Sequence, residues 1–173
     1  MVTQHAAKTK TVAMAVCLAL ATFVFTRSEG RARQTNASTA SSSRAEIEAF
    51  NKKYIAAHLR MDNAAVMGMW AEDGISLLPA TDPMIGKEAI GKFMDEVVGR
   101  MPGYHMRKMD VDFQGIEVSG DWASEWAEEH QVVQPPPGRR VIDSYGKLLL
   151  VLHREADGNW RIAREMWNQG MKP

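Results

Sequence analysis

The chain holds a single cysteine, Cys17, and that residue sits inside an apolar run near the start. A disulfide framework and a cysteine metal site are therefore excluded, as is a thiol nucleophile in any domain that follows the run. Net charge is missing as well: 21 basic residues offset 21 acidic ones, so there is no basic excess to attract nucleic acid. Among the histidines, His58, His105, His130 and His153 show neither His-x-His nor His-x-x-x-His spacing, which leaves metal binding without a motif. No Ser-His-Asp constellation, phosphate loop, dinucleotide fingerprint or internal repeat occurs. No cofactor is implied. Long apolar stretches are also absent. The longest, Val12 to Phe25, has 14 residues and spans only about 21 Å as a helix, against a bilayer core of roughly 30 Å.

That stretch follows Lys8 and Lys10 and is succeeded by Arg27, Ser28, Glu29 and Gly30. A basic start, a short apolar segment and small residues after it make a secretory signal over residues 1–32, with cleavage after Gly30-Arg31-Ala32. Thr26-Arg27-Ser28 is the second choice of site, and an uncleaved anchor is the alternative that the length argues against. A lipoprotein is excluded, because Val16 rather than a small residue precedes Cys17. The expected location is outside the cytoplasm, periplasmic or secreted, with membrane contact only through the transient signal. Cleavage removes four basic residues and one acidic residue, taking the net charge from 0 to −3. Residues 33–43 read as a polar, disordered linker with nothing to bury. The glycosylation sequon Asn36-Ala37-Ser38 within it is attributed to chance.

The folded part is expected over residues 44–168, with 169–173 as a tail. Ser43 and Glu46 fit a capping box ahead of a helix that spaces Ile47, Phe50, Asn51, Tyr54, Ala57 and His58 along one face. Asp62 is expected to cap a second short helix carrying Val66, Met69 and Trp70, and Ile75 to Leu78 a short strand stopped by Pro79. A third helix follows Gly86, with Ile90, Phe93, Met94 and Val97 facing inward. From Tyr104 the period changes to two, giving strands Met106–Glu117, Trp122–Val133, Val141–Arg154 and Trp160–Trp167. Asp157-Gly158-Asn159 supplies the last hairpin turn. In the last strand alternation puts Trp160, Ile162, Arg164 and Met166 on one face, and Arg161, Ala163, Glu165 and Trp167 on the other. A Trp on each face predicts a strand covered on both sides. Three helices followed by long antiparallel strands make an α+β single domain.

Asp62-Asn63-Ala64-Ala65, Trp70-Ala71-Glu72-Asp73-Gly74, Ile85-Gly86-Lys87-Glu88-Ala89-Ile90, Gly120-Asp121-Trp122-Ala123 and Gly158-Asn159-Trp160-Arg161-Ile162-Ala163 through Met166-Trp167-Asn168 carry a family likeness. In this order they resemble the nuclear-transport-factor-2-like superfamily, in its SnoaL-like, ketosteroid-isomerase-type branch, nearest the group called domain of unknown function 4440. The resemblance implies a cone: a curved antiparallel sheet packed with three N-terminal helices, and a pocket entered from the open end. It also implies a homodimer formed through the outer sheet face. In the isomerase branch a Tyr on the first helix donates to the developing oxyanion, and Tyr54 occupies that place. The general-base position falls on Leu78 and the second carboxyl position on Leu150. Two leucines cannot run a steroid-isomerase proton shuttle, so that activity is excluded.

The same comparison points Tyr54, His58 and Trp70 inward from the helices, and Trp126, Glu128, His130, Glu165 and Trp167 inward from the strands. Strand periodicity agrees that Trp126, Glu128 and His130 share a face. Each has a duller reading: Tyr54 and Trp70 as core aromatics, His58 as a rim residue, His130 as a solvated strand end. Glu165, if buried, must hold a proton or pair with a cation, for which Lys147 and Arg164 are the candidates. Three functions remain open. One is an exported domain binding a small apolar or aromatic ligand in an aromatic-lined pocket. Another is a cofactor-independent lyase or isomerase using Glu165, or Glu128 with His130, together with Tyr54. The third is an association module. The first two both rest on Trp126 and Trp167 lining one hollow.

Overall fold

The computed structural model describes residues 41–172; the expected signal segment and most of the linker lie outside the described residues. Residues 43–173 form one compact unit. Helix α1 occupies residues 41–59, α2 Asn63–Met67 and α3 Lys87–Gly99. The strands are β1 Trp70–Leu77, β2 Met84–Ile85, β3 His105–Ser119, β4 Trp122–Gln134, β5 Ile142–Arg154 and β6 Trp160–Gln169. They build one six-stranded sheet in the order β2-β1-β6-β5-β4-β3. The sheet is mixed rather than antiparallel throughout, because β1 runs parallel to β6 while every other pair is antiparallel. Helix α3 is the crossover side of that arrangement, packing on β1 and β2.

Several local expectations change. Trp70 opens β1 instead of closing α2, since α2 stops at Met67 and Gly68 carries its C-cap. Asp62 caps α2 as expected, its side chain accepting from the Ala65 N–H at 3.0 Å. Ser43 and Glu46 form no capping box. Both lie within α1 and accept from Arg154 Nη2 at 2.7 and 2.8 Å, while Trp160 Nε1 donates to Glu46 at 3.0 Å. The pair therefore fastens α1 to the β5–β6 hairpin. Beyond Trp167 the chain continues in β6 to Gln169, and Gly170 N–H donates to Tyr145 O at 2.7 Å.

The core lies between α1 and the concave side of the sheet. Ile47, Phe50, Tyr54 and Ala57, at helical spacing, meet Ala127, Leu148, Leu150, Leu152 and Ile162. Strand β4 presents its small residues Ala123 and Ala127 to this side, along with Glu125, Glu129 and Val133. Trp122, Trp126 and Glu128 point the other way, and Trp126 is 45% exposed. The unbroken β4–β5 register carries the same phase into β5, so that Gly146, Leu148, Leu150 and Leu152 face inward and Lys147 and Leu149 outward. In β6 the register slips by one, with Leu152 opposite Ile162 but Val151 opposite Arg164. Ala163 is the extra residue of that bulge, so the inward face changes phase there. Trp160, Ile162, Glu165 and Trp167 consequently all look to the concave side, and the Trp-on-each-face reading of this strand does not hold.

Candidate functional site

A cavity of about 420 Å³ opens between the α1–α2 corner, α3 and the concave ends of β1, β4 and β6. Its wall is mainly apolar, with Trp70, Leu78, Ile90, Phe93 and Trp167 among the lining side chains. Five methionines (Met61, Met84, Met94, Met101 and Met106) add a flexible, polarizable surface. Leu78 and Leu150 part company: Leu78 lines the cavity, whereas Leu150 is fully buried in the core beside it.

The polar groups converge on one wall. Tyr54, on the inward face of α1, sends its hydroxyl toward Glu165 Oε1 at 3.5 Å. Ser76 Oγ donates to Glu165 Oε2 at 2.8 Å, a contact that follows from the β1–β6 register placing Ser76 opposite Glu165. Two strands over, Glu129 Oε1 accepts from Trp167 Nε1 at 3.1 Å and from the Gln131 side-chain amide. The indole can lie across β5 because residue 146 is glycine: a Cβ there would stand 2.6 Å from Trp167 Cε2. His58, one helical turn after Tyr54, packs against its ring at 4.1 Å between centroids. Its Nδ1 donates to the Tyr54 carbonyl oxygen at 2.9 Å.

Burial dominates the electrostatics. It pushes Glu165 up to about 7, helped by the nearby Glu129 and opposed by the Ser76 and Tyr54 hydroxyls. Burial likewise raises Glu129, against the Trp167 and Gln131 donors. It raises the Tyr54 hydroxyl well above the usual tyrosine range, with Glu165 and Glu129 adding to the effect. His58 is lowered by the same desolvation. At neutral pH the wall thus offers a neutral phenol, a neutral imidazole and a carboxyl near half-protonation.

Among the described residues no cation joins Glu165. Arg164 donates to the backbone oxygens of Asp73 and Ala163, and Lys147 is exposed on the opposite face. With no cation beside it among the described residues, burial shifts Glu165 toward its protonated form, up to about 7. Trp126, Glu128, His130 and Lys147 are all placed on the convex side, away from the cavity. Trp126 and Lys147 line a shallow external depression, and His130 stacks on Tyr145 and bonds Asp143 Oδ1 at 2.8 Å and Lys108 at 3.0 Å. Trp126 and Trp167 therefore look to opposite sides of the sheet, contrary to the arrangement on which the pocket was expected to depend. The hollow survives because Glu129 and Gln131, not Trp126 and Glu128, complete its wall. Tyr54, His58, Trp70, Glu165 and Trp167 do come together there.

Glu129, Ser76 and the methionines were not legible as site residues. In β4 the two tryptophans, Trp122 and Trp126, sit outside and cover the sheet, while the inward positions alternate two alanines with Glu125 and Glu129. The informative signal was the Ala123–Ala127 spacing, which marks the helix-facing phase. Among the described residues, no group of three or more His, Cys, Asp or Glu is placed to hold a metal ion.

The SnoaL-like domain family matches residues 39–165. A ketosteroid isomerase-like protein from Erwinia carotovora has a solved structure that superposes with a TM-score of 0.64 at 23% identity, over 75% of this chain and 96% of that one. An NTF2-like superfamily protein from Salmonella enterica superposes with a TM-score of 0.65 at 17% identity, over 76% and 94%. A tRNA U34 carboxymethyltransferase from Citrifermentans bemidjiense is 30% identical over 99 residues, 49% of this chain. The chain spans only 30% of the length of that relative.

Proposed function

The chain belongs to the SnoaL-like domain family, and from that premise we propose that it binds a small, mostly apolar molecule beside Tyr54 and moves a proton on it with Glu165. The observation that carries this reading is a carboxyl in the cavity wall that has two hydroxyl partners, no cation beside it among the described residues, and is raised by burial to about 7. A general acid–base works best when its pKa lies near the working pH. As carboxylate, Glu165 takes a proton from a carbon next to a ligand carbonyl, and the electron pair moves onto the carbonyl oxygen. Tyr54 donates to that oxygen; its 3.5 Å contact with Glu165 is long enough to be exchanged for a ligand. Returning the proton to a second carbon completes an isomerisation, and delivering it to a leaving hydroxyl completes an elimination. The acids sit on β4 and β6 rather than at Leu78 and Leu150, so this is not the steroid-isomerase arrangement.

The test uses a model ketone. 2-Tetralone incubated with the protein in D2O should exchange its α-protons, with a pH dependence centred near 7. Glu165→Gln should slow that exchange at least a hundredfold. Equal exchange by wild type and Glu165→Gln would remove Glu165 from the chemistry.

Two accompanying readings belong here. Leu77, Met166, Leu149 and Trp126 stand opposite one another in register across β1, β6, β5 and β4, and all four are exposed on the convex face. A second copy would cover this row, making a homodimer; Trp126→Glu should then yield monomers by sedimentation, and an unchanged mass would refute it. The signal-like segment supports export, which N-terminal sequencing of protein from the periplasm or medium checks: a mature chain starting at Arg33 is expected, and an intact Met1 in the cytoplasm refutes it.

A further inference from the structure

His58 has a tautomer fixed by its surroundings. The Tyr54 carbonyl can only accept, so Nδ1 carries the hydrogen of the 2.9 Å bond between them. In the neutral ring Nε2 is then a bare lone pair. Among the described residues no donor reaches Nε2, and His58 lines the cavity. An acceptor at the edge of an apolar chamber needs a donor, and a molecule that brings one is selected over a molecule that does not.

The charge of the wall sets the second condition. Among the described residues no Lys or Arg lines this cavity, while Asp62, Glu129 and Glu165 do. An anionic ligand would enter against these acids with nothing to pair its charge. The remaining wall, with its methionines and three large aromatic side chains, asks only for apolar bulk.

We propose that the cavity selects an uncharged, apolar molecule bearing a hydroxyl group, and that His58 Nε2 is the acceptor that receives the hydroxyl. The proposal rests on reading this cavity as the ligand site. It adds His58 to Tyr54 and Glu165 as a specificity-determining residue.

Calorimetric titration of the full chain with three probes of one skeleton tests it: 2-naphthol, 2-methoxynaphthalene and 2-naphthoate. 2-Naphthol should bind about tenfold more tightly than the methyl ether, which keeps the oxygen but lacks the donor, and 2-naphthoate should bind most weakly. His58→Phe should close the gap between alcohol and ether to within about twofold while the ether's affinity is kept. His58→Gln, which retains an acceptor oxygen, should preserve part of the gap and guards against misfolding of the first variant. The proposal is overturned if alcohol and ether bind alike in the wild type, if the gap persists in His58→Phe, or if 2-naphthoate binds as tightly as the alcohol. Failure of all three probes to bind would overturn the ligand-site reading along with it; equal binding overturns only the role of His58.

Discussion

Glu165→Gln should make the protein more stable in mild alkali while leaving it unchanged in mild acid. The folded state holds this carboxyl at about 7 against an ordinary value of 4.5, so the native protein binds more protons than the unfolded chain between those limits. Stability from this group is complete below 4.5 and is lost as the pH rises through 7. Each pKa unit is worth about 1.4 kcal/mol, which sets an upper bound of about 3.4 kcal/mol. Water admitted by the open side of the cavity lowers this, and about 2 kcal/mol is the expected difference at pH 9. Glutamine presents the shape and hydrogen bonds of the neutral acid without being able to ionise. Urea unfolding at pH 5 and pH 9 reads the effect directly. Wild type should lose stability across that interval and the variant should lose about 2 kcal/mol less. Glu125, raised to about 7 by burial and bonded by Asn51 at 2.8 Å, gives the wild type a second slope of the same sign. For that reason the variant's curve flattens without becoming level. Parallel curves for the two proteins would show that Glu165 is an ordinary solvated carboxylate, and the acid–base reading would go with it.

Gly146→Ala should push the Trp167 indole off Glu129 and cost about 1–3 kcal/mol by overpacking. A shifted Trp167 indole N–H resonance together with a lower urea midpoint is the expected outcome, and an unmoved resonance would refute the close approach. Ala80 is exposed and has a φ of 57°, a left-handed conformation that a side chain strains. Ala80→Gly should therefore stabilise the protein by about 0.5–1 kcal/mol in thermal or urea unfolding, and a loss of stability would contradict the strain. Ser76→Ala removes the 2.8 Å donor to Glu165 and should move the optimum of ketone proton exchange to higher pH, because that hydrogen bond favours the charged form; a lower optimum would refute the assignment.

Much of the architecture could be read from residue order. The Asp157-Gly158-Asn159 turn, the Asp62 cap and the inward row Ile47, Phe50, Tyr54 and Ala57 all depend on neighbours within a few residues, and local rules describe such features well. Tyr54 and Glu165 were identified because the family resemblance pointed them inward, and for Tyr54 the periodicity of α1 agrees. The face of β4 was inverted. Period-two alternation says which residues share a side but not which side is the interior, and the family resemblance pointed Trp126, Glu128 and His130 inward where the structure turns them outward. The bulge at Ala163 had the same character: it shifts one strand's phase by one residue, and nothing in Arg161 to Glu165 announces it.

The sequence alone determined the order of the main elements, the turns and the family likeness, since each is a property of local pattern or residue identity; the two-residue β2 and the start of β1 at Trp70 were not read from it. Tertiary structure decided which face of β4 is wet, that Glu165 finds two hydroxyls instead of a cation, and that Glu129 and Trp167 meet across Gly146. Those outcomes depend on register between strands distant in the chain, where a slip of one residue exchanges the inside of the sheet for the outside.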